Sequence, residues 1–405
     1  MDVGTVYKEV SARLEDYLES LQMRPVRAPR RVMGELVRGI LWTGSVQLTN
    51  AARLRAQTPA RLARLVKQYS HHLASGKWDH REWAAAILAR QLRDLRADDL
   101  LPMDGTELAK PYAHHLQHQG TVKDASRPGD PLVQGYWVWG AYLWKPGRQS
   151  LRPLMLRPYS QNMPGFRSEN DCWERYAWTL RQATGGKGVW LYDRGGDRPD
   201  VLSSWLRMQP QWVIRLREDR PLLGPDGTRR PAGQWADWAL AQRPPRGHAV
   251  TLPVRLPPEE VRQSGLPARL WLVVPTHTFL RAGKGDRWVL LSRGRIDHHA
   301  GPRQVRHEYA LRWRSEDAKR FLGQVWHVER FLTRGFVALE RILWCVVAAG
   351  GFLAELEEDE PGLAERLSRV VLYWEKDVAI REYRMARGLM AMAGQHGHLA
   401  VANNA

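Results

Sequence analysis

The stretch from Leu132 to Arg217 constrains the fold more than any other part of the chain. Leu132 to Trp144 and Leu151 to Tyr159 read as β-rich and are separated by a Lys-Pro-Gly-Arg turn, a pattern that predicts a hairpin or adjacent antiparallel strands. Arg167 to Ala183 then predicts a helix, Gly188 to Tyr192 a short buried strand, Pro199 to Met208 a second helix and Gln211 to Arg217 another strand. Strands that alternate with helices predict an α/β architecture whose mixed sheet is crossed by helical connections. The rhythm breaks from Arg220 to Asp286, where Pro and Gly are frequent and short strands are expected at Ala249 to Leu256 and Leu270 to Val274. This region reads as a β-rich insertion. A strand at Trp288 to Ser292 and helices over most of Val305 to Met390 follow, and a loose tail is expected from Gly394 to Ala405.

The first hundred residues read as helical. Thr58 and Pro59 form an N-cap and first helical position, after which Leu62, Leu65, Val66, Tyr69 and Leu73 recur at helical spacing. Arg61, Arg64 and Lys67 fall off that stripe. Another helical pattern, Val32 to Trp42, closes at Thr43-Gly44-Ser45. Between Arg24 and Arg90 stand thirteen Lys or Arg against three acids, a concentration of positive charge in a chain with 61 basic and 43 acidic residues and a formal charge of +18. Such a surplus points to a polyanionic partner. With 43% hydrophobic residues and nineteen tryptophans, the chain is no disordered basic tail.

Several classes are excluded. Cys172 and Cys345 are far apart and read as reduced core thiols. The most apolar run, Ile342 to Leu353, is twelve residues long, short of the roughly 20 that span a bilayer. Neither membrane insertion nor secretion is expected, because the chain opens on Met1, Asp2 and a Glu-rich helix. Gly185-Gly186-Lys187-Gly188 lacks the Walker spacing and reads as a tight turn, so no nucleotide cofactor is expected. His114, His115 and His118 have no accompanying metal motif and read as a polar loop.

Three acids stand where chemistry is expected: Asp104 in Leu-Pro-Met-Asp-Gly-Thr, Asp193 in Tyr-Asp-Arg-Gly-Gly-Asp, and Glu316 in Tyr-Ala-Leu-Arg-Trp-Arg-Ser-Glu. The order is an Asp on or just after a first strand, an Asp ending a later strand, and a Glu on a helix beyond an insertion. Carboxylates so arranged can hold two divalent ions against a phosphodiester. Glu308 is out of phase with the motif, and Glu329 lacks the preceding Arg-Trp.

Asp104-Gly105-Thr106, Tyr192-Asp193-Arg194-Gly195-Gly196-Asp197 and Tyr309-x-x-Arg312-Trp313-x-x-Glu316 resemble the acidic motifs of insertion-sequence DDE transposases of the Tyr-Arg-Glu-Lys signature group. The resemblance covers most of the chain. It implies a ribonuclease H-like mixed sheet with a β-rich insertion, flanked by an N-terminal helical DNA-binding domain and C-terminal helices. The corresponding divisions are 1–97 for the DNA-binding domain, 98–219 with 287–356 for the catalytic domain, 220–286 for the insertion, 357–393 for a helical region and 394–405 for the tail.

On this resemblance Asp104, Asp193 and Glu316 would be the catalytic metal ligands, holding two Mg²⁺ ions for which Mn²⁺ can substitute. Tyr309 and Arg312, seven and four residues before Glu316, would share a helix face with it and contact phosphate. Trp288 would stack on a flipped base during a hairpin step, with a core tryptophan as the competing reading. The signature Lys is replaced by Gly323, so Lys319 or Arg320 would supply the cation. Arg61, Arg64 and Lys67 would contact DNA. The implied activity is cleavage at terminal inverted repeats and transfer of 3′ ends into target DNA, by a homodimer on double-stranded DNA in the bacterial cytoplasm. The rival readings are a ribonuclease H-like nuclease without strand transfer and a transposase-derived DNA-binding regulator.

Overall fold

The structure is a computed structural model and describes residues 2–21, 27–75, 77–148, 150–242, 249–261, 269–276, 287–296, 301–371 and 381–402. Helices α1 (Val3–Ser20), α2 (Arg27–Thr43), α3 (Leu48–Arg53), α4 (Pro59–Ala74) and α5 (His80–Gln91) come first. Strands β1 (Leu100–Ala109), β2 (Gly120–Lys123), β3 (Leu132–Trp144) and β4 (Leu151–Tyr159) follow. Then α6 (Glu169–Thr184), β5 (Val189–Tyr192), α7 (Pro199–Met208) and β6 (Gln211–Arg215) alternate. The expected insertion contains β7 (Pro221–Leu223), β8 (Arg229–Pro231), α8 (Ala232–Gln242), β9 (Ala249–Val254), α9 (Pro258–Val261) and β10 (Leu270–Pro275). After it come β11 (Leu290–Arg293), α10 (Pro302–Ala310), α11 (Arg314–Gln324), α12 (Phe336–Asp359), α13 (Pro361–Ser368) and α14 (Glu382–Ala402). The architecture is mixed α/β.

The chain forms two compact units, one of Met1–Asp94, Gly105–Phe166 and Glu316–Ala405, the other of Leu95–Asp104 and Arg167–Ser315. In the first unit β3 pairs antiparallel with both β2 and β4, with a bulge in the β3–β4 ladder at Ala141/Tyr142. Helix α12 packs on β4, α2, α4, α5, α13 and α14. Its 24 residues exceed the twelve-residue run that the sequence marks as most apolar, and by length and composition it could cross a membrane. However, 89% of its most apolar window is buried inside the fold, which is the setting of a central core helix. Helix α14 runs on through Ala402 where a loose tail is expected, consistent with its Ala- and Met-rich composition. Residues 403–405 lie outside the described residues.

In the second unit β5 is parallel to β1 and to β6, and β11, β10 and β9 continue antiparallel from β6. All four residues of β5, Val-Trp-Leu-Tyr, are buried, as a central parallel strand requires. Helix α6 begins at Ser168, whose hydroxyl accepts the Asp171 N–H at 3.1 Å, and ends at Gly185 with φ +59°. That glycine opens the tight turn expected before β5. The insertion is less purely β than its composition suggests: α8 packs on β8, β9 and β10, and its Trp235 and Ala236 are buried.

Candidate active site

Strand register builds the site. The β1–β5 ladder pairs Leu100 with Val189, Leu101 with Trp190 and Pro102 with Leu191. Two residues further along both chains stand Asp104 and Asp193. Continued past its last pair, this register would set both carboxylates on one face at neighbouring positions, where parallel strands run about 4.8 Å apart. The β5–β6 ladder ends with Tyr192 opposite Ile214, so Arg215 follows beside Asp193. Arg215 in turn pairs with Leu290 of β11. The same continuation of the two ladders brings Asp104, Asp193 and Arg215 level in one row at the strand ends.

Each carboxylate is held locally. Asp193 is extended, with φ −78° and ψ −172°, and its Oδ1 accepts the Gly195 N–H at 2.7 Å in a short 3-10 turn over 194–196. Asp104 is buried. Its Oδ2 lies 3.5 Å from Arg312 Nη1 and 3.4 Å from the Ser315 hydroxyl, which donates to the Arg312 carbonyl at 2.8 Å. Burial pushes the Tyr309 hydroxyl up to about 12, against the lowering effect of Arg312 and Arg215, with Asp193 adding to the rise. Tyr309 is therefore a neutral donor through the physiological range, close to both arginines and to Asp193. Trp288, half-buried just before β11, meets the Tyr309 ring edge-on at 5.1 Å between centroids. The Arg312 guanidinium lies 5.2 Å from the ring centre of Trp313, which is 48% exposed.

One geometric expectation needs correction. Tyr309, Arg312 and Glu316 do not share one continuous helix: Tyr309 lies near the end of α10, Arg312 in a 3-10 turn over 311–313, and Glu316 in the first turn of α11. The tighter 3-10 winding changes the angular offset that a uniform 3.6-residue helix would give. Glu316 is half-buried and begins the returning segment of the first unit. Among the described residues, no group of three or more His, Cys, Asp or Glu is arranged to hold a metal ion. The donor chemistry of Asp104 and Asp193 does suit one: two carboxylates in register on one face repel each other, and hard oxygen ligands match Mg²⁺ or Mn²⁺.

The remaining candidates have distinct settings. Lys319 Nζ donates to the Gly105 carbonyl at 2.7 Å, while Arg320 is exposed. Glu308 is buried in an ion pair with Arg295, whose Nε donates to it at 3.0 Å, so this acid is committed elsewhere. His114, His115 and His118 lie in a loop, and both cysteines are buried thiols. Arg215 and Ser315 escape sequence reasoning. Arg215 closes an expected strand, and only the β5–β6 register, continued one residue past its last pair, brings it level with Asp193.

A second basic surface belongs to α4. Thr58 Oγ1 accepts the Arg61 N–H at 3.2 Å and Pro59 opens the helix, as the sequence predicts. Leu65, Tyr69 and Leu73 are buried, and Arg61, Arg64 and Lys67 are exposed on a helix without an acidic residue. Its C-terminal end is gripped by the buried Arg341 of α12, which donates to the carbonyls of His72 at 3.1 Å, Leu73 at 2.7 Å, Ser75 at 2.8 Å and Trp78 at 2.9 Å. A cation at a helix C-terminus also suits the helix dipole.

No family model matches the chain, and no curated protein matches it. Among solved structures it is similar to a piggyBac transposase synaptic complex with hairpin DNA, seen by cryo-electron microscopy, with a TM-score of 0.46 and 10% sequence identity. The match covers 93% of this chain and 73% of that one.

Proposed function

We propose that the chain is a DDE transposase that cleaves DNA at the ends of a mobile element and joins the freed 3′ ends to a target. The observation that carries this reading is the row Asp104, Asp193, Arg215, with Arg312 3.5 Å from Asp104. Paired carboxylates beside two fixed guanidinium groups are suited to a phosphodiester, whose negative oxygens need cations and whose exchange needs two oxygens held in line. Divalent ions bound by Asp104 and Asp193, with Glu316 as third ligand, would activate the attacking oxygen and stabilise the leaving one.

The chain's own groups orient the strand. Arg215 and Arg312 bind non-bridging phosphate oxygens, and the Tyr309 hydroxyl donates to the same phosphate. Trp288 stacks on a base turned out of the duplex, which permits the tight bend of a hairpin intermediate. Lys319 or Arg320 neutralises the neighbouring phosphate in place of the Lys absent at Gly323. Exposed Arg61, Arg64 and Lys67 of α4 bind the terminal repeats, and a homodimer assembled on the two ends coordinates their cleavage. The test is nicking of an end-containing duplex with Mg²⁺ or Mn²⁺ by the full chain and by Asp104→Asn, Asp193→Asn and Glu316→Gln. Each substitution should lower nicking at least about 100-fold, the upper end of what even outer-shell changes at a metal site cost. Near-normal nicking by any of the three removes that residue from the site. Nicking without joining of ends to supercoiled DNA would identify a nuclease instead.

A further inference from the structure

The second acid of the Tyr-Asp-Arg-Gly-Gly-Asp segment, Asp197, points away from metal chemistry and into the fold. Its side chain is wholly buried, and its partner Arg220 is 2% exposed. Asp197 Oδ2 accepts the Arg217 backbone N–H at 2.7 Å, and Oδ1 accepts from Arg220 Nε at 2.5 Å. Arg220 Nη2 donates to the Asp197 carbonyl at 2.8 Å, and Nη1 donates to Glu260 of α9 at 2.9 Å. One guanidinium thus binds the turn after β5, and it is itself part of the turn after β6.

The location matters because the β5–β6 ladder stops at Tyr192 and Ile214. Asp193 and Arg215, the next residue on each strand, are not paired with each other in that ladder, and Arg215 pairs instead with Leu290 of β11. Asp193 begins a turn closed by Gly196 N–H to the Asp193 carbonyl at 3.1 Å and by Asp197 N–H to the Arg194 carbonyl at 3.2 Å. Asp197 ends that turn, and Arg217 stands two residues beyond Arg215. The bonds from Asp197 to Arg217 and Arg220 therefore tie together the two strand ends just past the row that carries the chemistry.

We propose that Asp197 and Arg220 form a positioning pair that sets the separation of Asp193 from Arg215, and with it the affinity of the carboxylate pair for a divalent cation. The inference rests on the metal-binding reading of Asp104 and Asp193. Supporting groups behind metal ligands typically contribute 10–100-fold in affinity, and a buried ion pair can be replaced by apolar residues without loss of the fold.

The experiment is calorimetric titration of the full chain with Mn²⁺ alone, paired with thermal melting, for Arg220→Lys and for the double variant Asp197→Leu, Arg220→Met. Arg220→Lys keeps the charge but loses the fork that bridges Asp197 to Glu260. It should melt within a few degrees of the unaltered chain while its Mn²⁺ dissociation constant rises about tenfold. The double variant, if folded, should show a rise at least as large. Unchanged Mn²⁺ affinity in Arg220→Lys overturns the proposal, whether or not the double variant folds. The two readings separate through controls. If the unaltered chain binds no Mn²⁺, or Asp104→Asn binds it equally well, the carboxylate reading fails and this one falls with it. If Asp104→Asn alone loses Mn²⁺, only the positioning role fails.

Discussion

Arg215, which closes β6, and Arg312, in the 3-10 turn after α10, both act on the Tyr309 hydroxyl although 97 residues separate them. A guanidinium offers two parallel donors in a fixed plane, which a lysine cannot reproduce. Arg215→Met should therefore lower single-turnover nicking by about tenfold to a hundredfold, the effect of a charge-assisted hydrogen bond worth roughly 1.5–3 kcal/mol. Arg215→Lys should restore only part of that rate, and equal rates in Arg215→Met and the unaltered chain would remove the residue from the site. Trp288 makes a separate case, because its edge-on contact with Tyr309 leaves it half-buried. Trp288→Ala should slow hairpin formation more than first-strand nicking, since stacking on an extruded base is worth about 1–3 kcal/mol and is needed only at the bend. Equal slowing of both steps, measured on a pre-nicked and an intact duplex, would mark it as a packing residue. Asp104, Asp193 and Glu316 stand in motifs visible in the sequence, whereas Arg215 stands in none. Nothing in its local sequence distinguishes it from the chain's other arginines until two ladders set its register.

Helix α4 shows which features of an element a sequence encodes. Its cap, its proline and its buried stripe depend on neighbours within a few residues, so Thr58, Pro59, Leu65, Tyr69 and Leu73 all take the expected roles. The Arg341 clamp is invisible in sequence because more than 260 residues separate it from the carbonyls it binds. The break between α10 and α11 is similarly hidden. The Leu311–Trp313 segment carries no Pro or Gly to mark it, and the phase of Tyr309 and Arg312 follows from the local winding. At this scale the prediction concerns affinity for duplex DNA. Each phosphate contact that Arg61, Arg64 or Lys67 would make on the proposed function releases condensed counterions, with a slope of about 0.9 in log–log salt dependence per contact. Replacing all three by Glu should weaken end binding and flatten the salt slope by about 3 units if each meets a phosphate, as read by fluorescence anisotropy across a salt series. Mn²⁺ binding should not change. A salt slope equal to that of the unaltered chain would remove α4 from the DNA-binding surface.

Taken whole, the chain assembles each unit from segments distant in sequence, and strand β1 contributes Leu100–Asp104 to one and Gly105–Ala109 to the other. No shift in composition marks that boundary, because it is set by which partners the two halves of one strand acquire. In the first unit α12, β4 and α14 come from the middle and end of the chain, and Glu382 joins them. One of its oxygens accepts the Leu151 N–H at 2.8 Å, while Oε2 is buried without a hydrogen bond among the described residues. Burial raises its carboxyl to about 7, opposed by the Leu151 N–H and reinforced by Glu357 and Glu358 of α12.

A carboxyl that titrates near 4.5 when unfolded and near 7 when folded binds its proton more tightly in the native state. Its contribution to stability is therefore complete below about pH 4.5 and is lost as the pH rises through 7, because the unfolded chain ionises first. The difference corresponds to an effect on the order of 3 kcal/mol. Glu382→Gln keeps an acceptor for Leu151 and cannot ionise, so it should melt close to the unaltered chain at pH 5 and several degrees higher at pH 8. In the neighbouring network around Glu358, burial raises the Asp94 carboxyl but its bonds to Lys145 and Arg152 hold it below the usual range, so Asp94 should not mimic the effect. Parallel melting curves of the two proteins from pH 5 to pH 8, with a constant offset throughout, would show that Glu382 does not ionise in this range within the fold.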